Sequence, residues 1–85
     1  MELQIGTIIK SKAGHDGGSF YVITGYDGEK PLIADGRRRK LAKPKAKNTK
    51  HISKTNTTVD MTDLTDKKLR SYLHSFNFPN EGKGE

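Results

Sequence analysis

The chain has no cysteine in its 85 residues, which excludes a disulfide-stapled secreted scaffold. Apolar side chains are also scarce: the AVILMFWYC set makes up 31% of the sequence, and six residues are aromatic. A chain this short holds one core, and a large catalytic cleft would compete with folding for that apolar surface. Long hydrophobic runs are missing too, with nothing approaching the ~18 uncharged residues of a membrane span. Met1-Glu2-Leu3-Gln4-Ile5 carries an acid where a secretory signal carries cations, and Glu2 in place of glycine excludes amino-terminal myristoylation. A cytoplasmic protein without a membrane partner is the expectation. Asn56-Thr57-Thr58 fits the glycosylation acceptor pattern, but without secretion the match has no chemistry behind it.

What is present in excess is positive charge, and it is concentrated. Sixteen Lys and Arg oppose ten Asp and Glu, for a net +6. Arg37, Arg38, Arg39, Lys40, Lys43, Lys45, Lys47, Lys50 and Lys54 place nine of those cations in residues 37–54, without an acid among them. The other 67 residues hold seven cations and ten acids, a net of −3. Like charges so close repel one another and are costly unless an anion neutralises them. A solvated basic loop is the plain reading; a phosphate-binding strip is the functional one.

Along the chain, Leu3, Ile5 and Ile9 share one face of an extended segment, while Gln4, Gly6, Ile8 and Lys10 take the other. Residues 13–19, with three glycines in five positions, form a loop. Phe20-Tyr21-Val22-Ile23-Thr24 is aromatic and β-branched and reads as a second strand. Strict alternation would put Phe20 and Tyr26 on one face and Tyr21 on the other. Phe20 suits the core, whereas Tyr21 could stack on an exposed base or pack under a helix. Asp27-Gly28 and Asp35-Gly36 are hairpin turn signals flanking Pro31-Leu32-Ile33-Ala34. A returning strand is expected over residues 37–42, ended by Pro44, and a short last strand over residues 50–54. Five short strands in under 60 residues suggest a small barrel.

Thr and Asn enrichment in residues 55–58 suggests a linker. Thr65 can then cap a helix with Asp66 in its first turn, where Leu69, Tyr72, Leu73 and Phe76 recur at i, i+3, i+4 and i+7. That amphipathic helix would be a lid over an open barrel end or a dock for a partner, with Tyr72 half-buried. The expected division is residues 1–58 as the barrel with its strip at 37–54, residues 59–76 as linker and helix, and residues 77–85 as a flexible tail.

Residues 6–23, running Gly-Thr-Ile-Ile-Lys-Ser-Lys-Ala-Gly-His-Asp-Gly-Gly-Ser-Phe-Tyr-Val-Ile, resemble the KOW motif, a strand, a glycine-containing loop and a second strand. With Leu32-Ile33-Ala34-Asp35-Gly36, Arg39, and the run from Lys43-Pro44-Lys45 to Lys50-His51-Ile52, the chain is similar to small bacterial KOW-domain RNA-binding proteins related to large-subunit ribosomal proteins of the fourteen-e type. The resemblance covers roughly residues 3–54. It implies a mainly β fold, a five-stranded SH3-like barrel followed by the carboxyl-terminal helix. It also implies ribosomal or other structured RNA, and the ribosome, as partner. Gly18 matches the motif's glycine. The loop departs from the pattern at His15, where an Arg is common, and at Gly17, where a Lys is common. The motif loop would then meet RNA through backbone N–H groups and shape, and residues 37–54 would supply most of the attraction.

Other chemistries find weaker footing. Gly17-Gly18-Ser19 lacks the lysine of a phosphate-binding P-loop and opens a strand rather than a helix. His15, His51 and His74 fall in different elements without a cysteine or paired carboxylates at ligand spacing. Ser11, His15 and Asp16 lack the buried orienting group that a nucleophilic triad needs. No catalytic residue, metal or cofactor is expected. The expected RNA-binding set is Lys10, Lys12, Gly14, His15, Gly18, Arg37, Arg38, Arg39, Lys40, Lys43, Lys45, Lys47, Lys50 and His51. Within it, residues 43–50 would form an extended arm that orders on binding. A protein-interaction module of the transcription apparatus is the alternative, followed by a DNA-coating or membrane-surface protein. A monomer is expected, since no heptad or long apolar edge is evident.

Overall fold

The computed structural model describes residues 3–12 and 19–77. They form a mainly β molecule: β1 (Thr7–Ser11), β2 (Phe20–Asp27), β3 (Lys30–Ala34), β4 (Lys45–Ala46), a single 3-10 turn (Thr49–His51), β5 (Ile52–Thr58) and α1 (Asp66–Asn77). The five strands are antiparallel neighbours in one open sheet, in the order β4-β3-β2-β1-β5.

Both faces of the central strands are buried, because consecutive side chains point opposite ways. Ile8, Val22 and Ala34 lie on one face and are covered by Leu69 and Leu73 of α1, with Phe20, Leu41, Val59, Met61, Leu64 and Phe76 around them. Ile9, Tyr21, Ile23, Ile33 and Ile52 form a second cluster, flanked by Leu3 and Tyr26. The helix forms where the apolar spacing and cap place it. Thr65 Oγ1 accepts from the Lys68 N–H at 3.1 Å, satisfying a donor of the first turn, and Leu69 N–H bonds to the Thr65 carbonyl. Leu69 and Leu73 are buried and Phe76 half-buried. Tyr72 is 37% exposed, its ring tilted against Phe76. No described helix is long and apolar enough to cross a membrane.

Several boundaries differ from the sequence expectation, each for a physical reason. The first strand starts at Thr7 rather than near Leu3: a turn precedes it, with the Thr7 N–H on the Gln4 carbonyl and Gly6 at φ 98°, and Ile5 is left exposed. The β2–β3 register shifts between Ile23 and Gly25. This bulge reverses the alternation, so Tyr26 joins Tyr21 and not Phe20. Tyr21 is buried on the face away from α1, neither under the helix nor available as a stacking platform.

Residues 37–42 are turn rather than strand, because side chains take main-chain donors that a neighbouring strand would have bonded. Pairing to β3 begins after Pro44, as Ile33 opposite Lys45 and Leu32 opposite Ala46, where it was expected to end. Residues 50 and 51 belong to the 3-10 turn, and the Thr-rich stretch 55–58 continues β5 instead of forming a linker. Thr55 Oγ1 donates to the Ile8 carbonyl at 2.8 Å and locks that stretch to β1. Of the tail expected over residues 77–85, Asn77 closes α1 and the remainder lies outside the described residues.

Candidate nucleic-acid interface

The densest part of the basic segment is folded into a tight turn. Asp35 Oδ1 accepts from the N–H groups of Arg37 and Arg39, at 2.9 and 3.0 Å. The Arg39 carbonyl accepts in return from the N–H groups of Asp35 and Gly36. Asp35 is therefore the internal staple of the turn, as short carboxylates often are. Gly36 sits at φ 79°, in the left-handed region that a side chain disfavours. A Cβ there would also collide with the Asp66 carbonyl oxygen of α1. Two bonds from the helix complete the enclosure: Arg70 Nη1 donates to the Gly36 carbonyl at 2.8 Å, and the Leu41 N–H donates to Asp66 Oδ1 at 2.8 Å. With its backbone held, the turn carries Arg37, Arg38 and Lys40 exposed and Arg39 half-buried.

Beyond the turn the segment follows the edge of the sheet. The Lys43 N–H bonds back to the Lys40 carbonyl, β4 pairs with β3, and the Lys47 N–H donates to the Pro31 carbonyl at 3.0 Å. Asn48 caps the 3-10 turn, its Oδ1 accepting from the Lys50 N–H at 2.9 Å. Residues 45–47 thus run hydrogen-bonded along β3, and residues 49–51 turn away from it in the 3-10 turn. The segment then reaches β1, where the Lys12 N–H donates to the His51 carbonyl at 2.8 Å and Lys10 lies opposite Ser53. The Lys10 ammonium stands over the Phe20 ring, 5.7 Å from its centroid.

The described site residues therefore fall into two groups. Arg37, Arg38, Arg39, Lys40, Lys43, Lys45 and Lys47 line the turn and the β4 edge. Lys10, Lys12, Lys50, His51 and Lys54 follow β1, the 3-10 turn and β5, with Lys10 and Lys54 on opposite faces of the sheet. All are exposed except half-buried Arg39 and Lys47. Gly14, His15 and Gly18 lie outside the described residues. Asp27, Glu29 and Lys30 share a depression with Asn48 and Thr49, so two acids stand beside the segment between Lys47 and Lys50.

Sequence reasoning missed Asp66 and Arg70, having assigned Asp66 to the helix dipole alone. Their spacing of four residues puts both on one helix face and was the available signal. Chemically, the surface offers forked guanidinium donors and compact ammonium charges, suited to phosphate oxygens. No three His, Asp or Glu side chains among the described residues converge as a metal site. No known family model matches the sequence, and no curated protein matches it.

Proposed function

We propose that the chain is a non-catalytic, KOW-type RNA-binding protein whose sheet closes as a small SH3-like barrel, and that it binds ribosomal or other structured RNA. The observation that carries this reading is the segment of residues 37–54, which holds nine cations and no acid in sequence, seven of them exposed, with its turn and β4 hydrogen-bonded to the rest of the fold. Such a surface neutralises phosphates and gains affinity from released counterions. Arginines in the turn can fork to two phosphate oxygens or stack on a base, while the lysines act as point charges. The barrel reading draws support from the second apolar cluster, which takes side chains from four successive strands, β3, β2, β1 and β5. Lys12 is hydrogen-bonded to His51 and Lys10 lies opposite Ser53, so both adjoin the carboxyl-terminal part of the cationic segment.

The test is a titration of the protein against a structured RNA, duplex DNA and anionic vesicles at several salt concentrations. RNA is expected to bind most tightly, with an affinity that falls roughly a thousandfold between about 50 and 200 mM salt. Reversing the turn with Arg37→Glu, Arg38→Glu and Arg39→Glu together should weaken RNA binding by more than about tenfold at low salt. Equal affinity for all three polyanions, or an undiminished affinity in the triple variant, would defeat the proposal.

A further inference from the structure

We infer that α1 is the clamp that presents the arginine turn, with Asp66 and Arg70 as its positioning residues. This rests on the RNA-binding reading and concerns how that site is shaped. Four consecutive cations, residues 37–40, repel one another, and a surface turn bearing them would splay unless its backbone were fixed. Asp35 closes the turn from within but leaves two main-chain groups at its margins, the Gly36 carbonyl and the Leu41 N–H. Both are taken by α1. Arg70 donates to Gly36, and Asp66, four residues earlier on the same helix face, accepts from Leu41, each at 2.8 Å.

The close approach is built in from the other side as well. Gly36 lacks the Cβ that would strike the Asp66 carbonyl oxygen, and Leu41 packs against the cluster containing Leu69 and Leu73. The helix thus grips the turn by a donor, an acceptor and an apolar contact. A carboxylate at the base of a phosphate-binding surface opposes phosphate by its charge, so its positional role can be separated from its electrostatic one. A turn already held in its binding shape loses less freedom when RNA docks.

Two variants make that separation. Asp66→Ala and Asp66→Asn each remove one negative charge and the same interaction with the helix dipole, but only asparagine keeps an oxygen that can accept from Leu41. Affinity for a structured ribosomal RNA fragment is measured at one moderate salt concentration. The rate of tryptic cleavage after residues 37–40 is followed by mass spectrometry, and circular dichroism checks that each variant is folded.

The clamp requires Asp66→Ala to bind RNA about fivefold to tenfold more weakly than Asp66→Asn and to be cut faster in the turn. Equal affinities with equal cleavage rates overturn it, as does tighter binding by the alanine variant. Should the unaltered chain show no RNA affinity, the RNA-binding reading fails and cleavage alone judges the clamp: faster cutting of Asp66→Ala sustains it, equal cutting overturns it. If Asp66→Ala does not fold, Arg70→Met is compared with Arg70→Lys by cleavage in the same turn. The clamp then requires the methionine variant to be cut faster, and equal rates overturn it.

Discussion

Gly6 joins two parts of the chain through its own peptide groups. Its N–H donates to the Ile23 carbonyl at 2.7 Å, and its carbonyl accepts from the Val59 N–H at 2.8 Å. A Cβ at this position would meet the Val59 carbonyl oxygen at 2.6 Å. On the far side of Val59, Asp60 turns the chain toward the helix, its Oδ1 accepting from the Thr62 N–H at 2.9 Å. Hydrogen bonds from the Thr62 backbone and side chain favour the charged carboxylate and hold its pKa below the usual aspartate range. The folded-state pKa is depressed, so the stabilisation is present above the unfolded value and lost as pH falls through the folded one. An NMR titration is expected to place the Asp60 carboxyl midpoint below that of aspartate in an unstructured peptide. A midpoint at or above it would contradict the turn geometry.

Among the elements, α1 carries the greatest single-residue consequences. Leu69 is fully buried against Ile8, Val22 and Ala34, and Leu69→Ala should cost about 2–5 kcal/mol in urea unfolding through lost burial and the cavity left behind. A loss below about 1 kcal/mol would mean that the helix does not cover that face. This element was legible in the sequence because its period of apolar residues and its Thr65 cap are local signals. Strands were legible as existing elements and less so at their limits. Residues 37–42 look extended until Asp35 and Asp66 are seen taking their N–H groups. Likewise, one register shift after Ile23 was enough to send Tyr26 to the face that alternation denied it.

For the whole molecule, the basic surface was readable because its cations are contiguous in sequence. The clamp was not, since Arg70 reaches Gly36 across 34 positions and Asp66 reaches Leu41 across 25. Nine cations in eighteen residues also load the folded chain with repulsion that compactness increases. Screening should relieve it: raising ionic strength from about 0.01 to 0.15 M is expected to lift the thermal midpoint by about 5 °C. A midpoint that stays level or falls would show that the charges are compensated within the fold.

The outermost strand beyond β3 has a bearing on how copies of the chain behave together. β4 is two residues long, Lys45 and Ala46, with Lys43 and Lys47 on either side. An edge so brief gives an incoming strand too few partners to extend the sheet, and the lysines add a charge barrier to the same approach. RNA lying along the strip would lift the charge barrier while leaving the length restriction in place. The restriction belongs to the β4 edge; the opposite edge, β5, is seven residues long, so sheet extension between copies is disfavoured on one side of the sheet only.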